Sequence, residues 1–361
     1  MKNITCFISS LAAGGAEHQL AILANMLYSK GYNVSFVTCL NDKDYYTLNP
    51  GIERIRIETH NSNLLSGLAM INYFRNLKTD VIISFRERMN LVAILGSLGK
   101  KTKIIAGERN FTIGKPTPVG ILNQKFLYKF ADYIVANSES QARYLYSLNK
   151  SWKDKVSSII NYTDLQKFNI VGEPEKDDVI KIGIFARFSP QKNCLRFIEM
   201  LKVLKSQSLQ PFEFHWYGQR SGKVNDEYYE SVVECRKNNE VDDVLFFHDA
   251  VTDVPKKMSN FHAIALPSLF EGFSNAIAEG ICCGKPMLVS DVSDNSVMVK
   301  SGINGYVFDP CSSESMLASF KAFLKLNKEQ RLQMAKKSRE IAESLFDAEK
   351  FVNAYITLIE G

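Results

Sequence analysis

The sequence predicts an α/β protein built from two Rossmann-like domains. Short runs of apolar and aromatic residues alternate with amphipathic segments, which is the pattern of parallel sheets covered by helices on both faces. The chain has 361 residues, enough for two domains of ordinary size. Residues 162–178, YTDLQKFNIVGEPEKDD, are polar and charged and interrupt the alternation. This stretch indicates a connection between the two domains.

The first half of the chain contains six predicted strands, and the first of them leads into a glycine turn. The strands cover residues 4–9, 33–39, 81–85, 103–107, 133–137 and 156–160. Gly14 and Gly15 form the turn, and a helix follows that ends at Gly31. The apolar face of this helix consists of Leu20, Leu23, Ala24 and Leu27. The turn lacks the G-x-G-x-x-G pattern of dinucleotide-binding enzymes, which counts against a nicotinamide-dependent reaction.

The second half repeats the alternation and then becomes wholly helical. Its predicted strands cover residues 181–186, 212–218, 244–248, 263–266, 287–290 and 306–308. Helices are predicted at 275–283, 329–344 and 348–359, and Asn193 is predicted to cap a further helix that carries Leu195, Ile198, Leu201 and Leu204. This half therefore forms the second Rossmann-like domain.

Composition and charge describe an ordinary globular chain. Hydrophobic residues make up 45% and charged residues 23%, and the net charge of +5 is too small to indicate a nucleic-acid partner. Seven cysteines follow no disulfide or metal-ligand spacing, which favours reduced thiols in a cytoplasmic protein. The chain begins without a signal-peptide pattern and has no apolar run of about 20 residues.

The stretch 263–286 combines a strand, a glycine-containing turn and a capped helix. Glu271 lies in the turn, and Glu279 lies on the helix among Ile277, Ala278 and Ile281. An ionised carboxylate in apolar surroundings needs hydrogen-bond donors, from the protein or from ligand hydroxyls. The helix start also offers free backbone amides to a phosphate. The alternative is an ordinary helix with a partly exposed glutamate.

Two cations flank another predicted helix start. Arg187 and Lys192 lie in the turn after the strand at 181–186. Together they suit a diphosphate, because arginine offers a planar fork of donors and lysine a compact charge. Each of them taken singly is also explained as a solvated loop charge.

These motifs resemble the donor-site signature of the retaining family 4 glycosyltransferases, which have the GT-B fold. The resemblance rests on Pro267-Ser268-x-x-Glu271-Gly272-Phe273, on Glu279 after seven intervening residues, and on Cys283-Gly284-Lys285-Pro286. Gly14-Gly15-Ala16-Glu17 resembles the amino-terminal motif of the same family. The resemblance extends over nearly the whole chain and is strongest in the second half.

The resemblance implies two Rossmann-like domains that face a central cleft. Residues 1–170 would form the acceptor-binding domain and residues 171–345 the donor domain, and residues 346–361 would form a helix that crosses back to the first domain. The implied reaction transfers a hexose or N-acetylhexosamine from a nucleotide diphosphate sugar, a UDP-sugar, with retention of configuration. The implied acceptor is a surface polysaccharide precursor or a lipid-pyrophosphate-linked glycan.

The family assigns a role to each donor-site residue. Glu271 would contact the donor sugar, Glu279 the ribose, and the amides around Gly272, Phe273, Ser274 and Asn275 the diphosphate. Arg187 and Lys192 would stabilise the leaving group, and the loop at Gly14 and Gly15 would face the diphosphate. No Asp-x-Asp motif occurs where it would hold a cation at the diphosphate, so we expect neither a metal nor another cofactor.

The acceptor side is predicted from the first domain. Glu108 and Arg109 follow a predicted strand, so they should lie at the carboxyl edge of the sheet, where open α/β folds bind ligands. Relatives that build lipid-linked glycans often carry such a pair here, which makes Glu108 and Arg109 candidate acceptor-binding residues. Glu17 is a further candidate, because the family's amino-terminal motif implies a loop that faces the diphosphate and the acceptor. A structural ion pair is the alternative for Arg109.

A membrane surface is a further predicted partner. Lys115, Lys125 and Lys129 accompany an apolar segment formed by Ile121, Leu122, Phe126, Leu127 and Phe130. Cations beside an apolar helix can hold an anionic lipid surface, which predicts a peripheral protein on the inner face of the cell membrane. The alternative is a core helix with a solvated cationic face.

Two other functions are compatible with these motifs. A UDP-sugar epimerase of GT-B fold would use a similar cleft but needs an acid and a base on the sugar face, and the sequence supplies no evident pair. A non-catalytic nucleotide-sugar-binding protein would bind the donor without turnover. The sequence also departs from the family at Asp249, His262 and Ser293-Asp294-Asn295, so the resemblance does not specify how the base is recognised.

Overall fold

The protein folds into two compact units, each built on its own parallel sheet. The computed structural model describes residues 1–40, 44–58, 62–109, 117–174, 178–207, 209–219 and 226–361. One unit comprises Met1–Tyr162 together with Ala348–Gly361, and the other comprises Thr163–Asp347. The last helix of the chain thus belongs to the same unit as the first strand.

The sheet of the first unit has seven strands in the described part of the chain. They are β1 (Asn3–Phe7), β2 (Asn33–Thr38), β3 (Glu53–Arg56), β4 (Val81–Phe85), β5 (Lys103–Glu108), β6 (Tyr133–Ala136) and β7 (Val156–Ser158). All neighbours pair in parallel, in the spatial order β3-β2-β1-β4-β5-β6-β7. The strand order reverses between β1 and β4, which makes this the topological switch point where open sheets bind ligands.

Helices cover both faces of this sheet. They are α1 (Gly15–Ser29), α2 (Asn63–Asn76), α3 (Glu87–Ser97), α4 (Pro118–Leu122), α5 (Glu139–Leu148) and α13 (Ala348–Glu360). Leu20, Leu23, Ala24 and Leu27 of α1 are buried with Tyr355 and Ile359 of α13 in one core. Phe74 of α2 and Ala93 of α3 belong to a second core, which also contains Ile82 of β4. Burial of these apolar faces drives the packing of helices onto the sheet.

The sheet of the second unit has six strands among the described residues. They are β8 (Ile180–Phe185), β9 (Phe212–Tyr217), β10 (Leu245–His248), β11 (Ala263–Leu266), β12 (Met287–Ser290) and β13 (Gly305–Phe308). All pair in parallel, in the order β10-β9-β8-β11-β12-β13, so the switch point lies between β8 and β11. The helices of this unit are α6 (Cys194–Lys205), α7 (Asp226–Asn238), α8 (Val254–Met258), α9 (Asn275–Cys282), α10 (Asn295–Met298), α11 (Ser313–Leu324) and α12 (Lys328–Leu345).

The predicted α/β class with two Rossmann-like sheets is confirmed. The twelve predicted strand segments all overlap observed strands, whereas the prediction missed β3. β3 is an edge strand with the sequence ERIR, and its charged residues conceal the apolar alternation on which strand prediction relies. All seven cysteines are free thiols, as predicted.

One predicted helix cap is wrong. Asn193 stands before α6 but makes no side-chain cap hydrogen bond, and its backbone is left-handed with φ of 60°. Its side chain instead donates to the carbonyl of Pro310 at 2.9 Å. A left-handed backbone is better tolerated by asparagine than by most residues, because its short polar side chain can hydrogen-bond locally.

Candidate functional site

Two loops flank the switch point of the second sheet, and they contain most of the predicted donor-site residues. Arg187 and Lys192 follow β8, and the stretch 267–274 follows the neighbouring strand β11. Because carboxyl ends of adjacent parallel strands meet at one edge, both loops lie where a Rossmann-type sheet binds its ligand.

Three contacts join these loops directly. Lys192 forms a mostly buried ion pair with Glu271. The backbone amide of Leu269 donates to the carbonyl of Gln191 at 2.8 Å, and the Gln191 side-chain amide donates to the carbonyl of Phe270 at 2.9 Å. The structure therefore brings two predicted catalytic side chains into contact, although 79 positions separate them in the chain.

The turn before α9 is fixed on both sides. The hydroxyl of Ser274 accepts from the amide of Ile277 at 3.4 Å and so caps the helix. The hydroxyl of Ser293 donates to the carbonyl of Gly272 at 2.6 Å. Phe273 is buried and packs edge-on against Phe346. The start of α9 is thus a rigid, electropositive helix terminus suited to an anion.

Glu279 lies one turn into α9 and is partly buried. Burial raises the pKa of its carboxyl to about 7, and the nearby positive charge of Lys167 partly opposes this shift. Because this pKa lies close to neutral pH, an added hydrogen-bond donor would change the ionised fraction of the Glu279 carboxyl group. Lys167 was not identified from the sequence, because it lies in the connecting stretch 162–178.

Arg187 differs from Lys192 in its surroundings. It is exposed, and among the residues that the structure describes it has no ion-pair or hydrogen-bond partner.

Of the departures from the family, His262 lies away from this site, because it precedes β11 and accepts a hydrogen bond from the amide of Lys181 near the amino end of β8.

The first unit has a similar arrangement at its own switch point. Glu17 lies in the first turn of α1, after β1, and Arg86 lies directly after β4. Nη2 of Arg86 lies 2.6 Å from Oε1 of Glu17 and donates to Oε2 at 2.8 Å. The Glu17 carboxylate is folded over Gly14, where a Cβ atom would collide with it. The hydroxyl of Tyr46 holds the same loop through the backbone of Gly14.

Arg86 is a second residue of the candidate site that the sequence analysis missed. Its backbone has φ of 81°, an unfavourable conformation for a residue with a side chain, and such strain clusters at functional sites. A signal was available, since Arg86 directly follows a buried strand. The same reasoning that selected Glu108 and Arg109 after β5 would have selected it.

Glu108 and Arg109 are both buried, but their surroundings differ. Burial raises the pKa of Glu108 to about 8, with a further increase from the negative charge of Glu87 and a decrease from Arg109. The guanidinium of Arg109 stacks on Phe85 at 3.8 Å and donates to Asn161 at 3.1 Å and to the hydroxyl of Tyr355. Arg109 is thus held by an aromatic ring and two neutral side chains.

The apolar segment with flanking lysines is largely on the surface. Ile121, Leu122, Phe126 and Phe130 are exposed, and only Leu127 of the five apolar residues is buried. Lys125 and Lys129 are also exposed, whereas Lys115 lies outside the described residues. The alternative of a core helix is therefore wrong for four of these five residues. No helix in the described part of the chain is both long and apolar enough to cross a membrane.

Two parallel Rossmann-type sheets, each with a switch point at its carboxyl edge, define the GT-B class of fold. Residues 166–341 match the model of the family described as Glycosyl transferases group 1. This match spans nearly all of the second unit, and through it this unit belongs to the group 1 glycosyltransferases.

Individual proteins resemble the chain over most or all of its length. An uncharacterized glycosyltransferase of Haemophilus influenzae is 24% identical over 98% of this chain and 99% of its own. An N-acetylgalactosamine-N,N'-diacetylbacillosaminyl-diphospho-undecaprenol 4-alpha-N-acetylgalactosaminyltransferase of Campylobacter jejuni is 24% identical over 81% of each chain. The structure of Anabaena HepE in complex with UDP and glucose superposes with a TM-score of 0.81 at 15% identity, covering 100% of both chains.

The raised pKa of Glu108 predicts a pH-dependent stability. Because the folded-state pKa lies above the ordinary value of about 4.3, folding takes up a proton between these values, and this group's stabilisation is lost as pH rises through about 8. Its contribution to the unfolding free energy should fall by about 1.4 kcal/mol per pH unit in that window. Glu108→Gln mimics the neutral acid. We therefore expect the free energy of unfolding of this variant, relative to that of wild type, to be higher at pH 8 than at pH 5.

Urea unfolding of both proteins at the two pH values measures this difference. Glu314→Gln is the matched control, because Glu314 is exposed and its pKa is lowered by hydrogen bonds to its own backbone and to Ser312. An equal pH dependence in wild type and Glu108→Gln would show that Glu108 is ionised in the folded protein.

Proposed function

We propose that this glycosyltransferase transfers a hexose or N-acetylhexosamine from a UDP-sugar to a lipid-linked glycan, with retention of configuration. The observation that carries the proposal is the joined pair of loops at the second switch point, where Lys192, Glu271 and the start of α9 meet at one sheet edge. The complex of HepE with UDP and glucose supports the donor class. The printed activity of the Campylobacter jejuni relative supports the acceptor class.

The leaving diphosphate would lie against the turn formed by Phe273, Ser274 and Asn275. The first backbone amides of α9 lie at the positive end of the helix dipole and have no partners within the helix. Arg187 supplies an exposed cation. Lys192 would contribute a second cation from the partly desolvated ion pair. Preorganised donors of this kind stabilise the negative charge that develops as the bond from the anomeric carbon to phosphate breaks.

Glu271 would orient the sugar rather than attack it. In a front-face reaction the acceptor hydroxyl approaches from the side on which the phosphate departs. A new bond forms between that oxygen and the anomeric carbon, and its proton passes to the departing phosphate oxygen. A Glu271 carboxylate fixed by Lys192 is placed to accept hydrogen bonds from sugar hydroxyls, because one ion pair leaves acceptor capacity unused.

Glu279 would accept hydrogen bonds from the ribose hydroxyls. Gly14 and Gly15 would contact the diphosphate, while Glu17, Glu108 and Arg109 would contact the acceptor. Arg86 holds Glu17 in place for that role. Charged groups held by such partners keep their geometry without the ligand, which reduces the ordering cost of binding.

The exposed segment around Lys125 and Lys129 would hold a membrane surface. Phe126 and Phe130 stand beside these lysines with more than a third of their surface exposed, at 58% and 50%. Aromatic side chains and lysines together suit the boundary between anionic headgroups and acyl chains. A lipid-linked acceptor would be presented at that boundary.

Replacement of the cations after β8 tests the leaving-group role. We expect Lys192→Ala and Arg187→Ala each to lower kcat on the order of 100-fold, since each removes one charge-assisted contact to the departing diphosphate. Steady-state kinetics with the UDP-sugar that the enzyme accepts measure the effect. Lys202→Ala, at an exposed position of α6, is the control and should keep wild-type rates. Unchanged kcat in both site variants would rule out the assignment.

The pKa of Glu279 makes UDP affinity depend on pH. Ribose hydroxyls donate to the ionised carboxylate, so affinity should rise as pH increases through about 7 and be several-fold weaker at pH 6 than at pH 8. Glu279→Gln should bind UDP more weakly at pH 8 and lose this part of the pH dependence. Calorimetry at both pH values measures it, and titration of the UDP phosphate cancels between the two proteins. Identical affinities of both proteins at pH 8 would contradict the ribose contact.

Charge reversal tests the membrane surface. We expect flotation with vesicles that contain phosphatidylglycerol, little flotation with pure phosphatidylcholine, and release by salt because screening weakens surface charges. Lys125→Glu combined with Lys129→Glu should abolish flotation, while Lys202→Glu combined with Lys237→Glu changes the net charge equally and should retain it. Equal flotation of both double variants would contradict a specific surface.

A further inference from the structure

The first segment of the second unit packs against the carboxyl end of α9, the helix that carries Glu279. This segment, residues 163–174, is called the connecting stretch here, and it belongs to the second unit. The amide of Val171 donates to the carbonyl of Cys283, the residue directly after α9, at 3.3 Å. The connecting stretch is thus hydrogen-bonded to the segment that ends α9.

A single arginine of α12 joins the connecting stretch to α9. Nη1 of Arg339 donates to the carbonyl of Cys282, the last residue of α9, at 2.7 Å and to the carbonyl of Phe168 at 3.0 Å. Both terminal nitrogens also donate to the carbonyl of Leu165, each at 3.4 Å. Nε donates to Glu343, one turn later in α12, at 2.8 Å. All the donor groups of the guanidinium fork therefore serve to hold backbone or the fork itself.

A helix cap alone does not account for Arg339. A cation at the carboxyl end of a helix satisfies free carbonyls and complements the helix dipole, and the contact with Cys282 has this ordinary role. The contacts with Leu165 and Phe168 lie outside the helix. A lysine could supply the charge, but it lacks the planar fork that reaches both segments at once. Arg339 therefore fixes where the connecting stretch lies on α9.

The part of the connecting stretch that Arg339 holds carries Lys167. Oδ1 of Asp164 accepts from the amides of Gln166 at 2.8 Å and of Lys167 at 3.2 Å. The carbonyl of Asp164 accepts from the amide of Phe168 at 2.8 Å. The side chain of Lys167 is exposed, and its Nζ lies 5.5 Å from the ring centroid of Phe168. The backbone on both sides of Lys167 is thus fixed, although its charged group is at the surface.

Several charged and titratable groups surround α9. They are Asp164 and Lys167 of the connecting stretch, Cys282, Cys283 and Lys285 at and after the end of α9, Asp294 before α10, and Arg339 with Glu343 on α12. Burial raises the pKa of Glu279 to about 7, and the positive charge of Lys167 acts against this increase. An opposite charge favours the ionised form of a carboxyl group, and its effect depends on distance.

We propose that Arg339 is a positioning residue of the donor site, which holds the connecting stretch on the end of α9 so that the charge of Lys167 stays beside the Glu279 carboxylate. The inference rests on the proposed function, in which that carboxylate accepts hydrogen bonds from the ribose. Ribose hydroxyls are donors, so the ionised carboxylate is the form that binds them better. Arg339 and Lys167 would thereby set the pH range in which UDP binds, without contacting UDP.

Removal of the Lys167 charge is the first test. We expect Lys167→Ala to raise the pKa of Glu279, and UDP binding should therefore be about twofold weaker at pH 7. Binding at pH 9 should be unchanged, because Glu279 is then ionised in both proteins. Calorimetry at the two pH values measures the difference. A loss of equal size at both pH values would indicate a direct contact between Lys167 and UDP and would overturn the proposal.

Arg339→Lys keeps the positive charge but not the fork. We expect it to weaken UDP binding at pH 7 and not at pH 9, as Lys167→Ala does. The combination of both changes should have no larger effect than Lys167→Ala alone, because both act through one charge. Lys336→Ala removes a charge from an exposed position of the same helix, and it should retain wild-type affinity. Wild-type binding by Arg339→Lys, or additive losses in the combination, would overturn the positioning role.

A second variant keeps the test decisive if the change at Arg339 impairs folding, which urea unfolding detects. Lys167→Glu places a negative charge at an exposed position, so it should weaken UDP binding at pH 7 more than Lys167→Ala does, about fivefold. Affinity equal to that of wild type at pH 7 would overturn the proposal.

Titration of the Glu279 carboxyl carbon by ¹³C NMR, without UDP, lets the two proposals fail separately. Glu279→Gln identifies the signal by its loss. A titration that moves to higher pH in Lys167→Ala and Arg339→Lys, in a protein that binds no UDP, would retain the positioning of Lys167 and overturn the proposed donor site. A protein that binds UDP with the same pH dependence and the same titration in every variant would retain the donor site and overturn the role of Arg339.

Discussion

The contact between Lys192 and Glu271 is the interaction on which the proposed donor site depends. Both side chains are largely withdrawn from water, and either charge left alone in that setting would be destabilising, so each fixes the other. The pair also fixes the two loops that carry it, with the backbone hydrogen bond from Leu269 to Gln191 reinforcing the connection. The edge of the second sheet is therefore organised before any ligand arrives, which is the condition for electrostatic stabilisation of a developing charge.

A similar ion pair joins two loops of the first unit, but the carboxylate and the cation lie on the opposite loops. There the loop after the first strand supplies the carboxylate, Glu17, and the loop after β4 supplies the cation, Arg86. Both sheets have the Rossmann strand order, so in both units these two loops meet at the switch point. A charge pair across that point joins segments that β-sheet hydrogen bonds do not reach. In the first unit the pair also leaves Nε of Arg86 buried, with no hydrogen-bond partner among the residues that the structure describes.

Much of the fold could be predicted because its signals are local. Apolar strands such as Val81–Phe85 and the helix faces of α1 and α9 follow periodicities visible within about ten residues. The failures occurred where tertiary context outweighs local preference. β3 is held at an edge with charged side chains, and the Asn193 side chain bonds to a distant carbonyl rather than to its own helix. The exposure of Phe126 and Phe130 depends on what packs over them, which apolar character alone does not reveal.

For the site, the sequence by itself determined which chemical groups are available and in what local order. The glutamates at 271 and 279, the glycine between them and the serine that caps α9 are neighbours in the chain, so the sequence indicated a capped helix start suited to a phosphate. The nucleotide sugar was implied by the resemblance of these motifs to the glycosyltransferase family. Only the tertiary structure decided which charges meet. Lys192 with Glu271, Glu17 with Arg86, and Arg109 with Tyr355 join residues 79, 69 and 246 positions apart. Such pairings follow from strand order in the sheet, and strand order is set by the packing of the whole unit rather than by any local stretch.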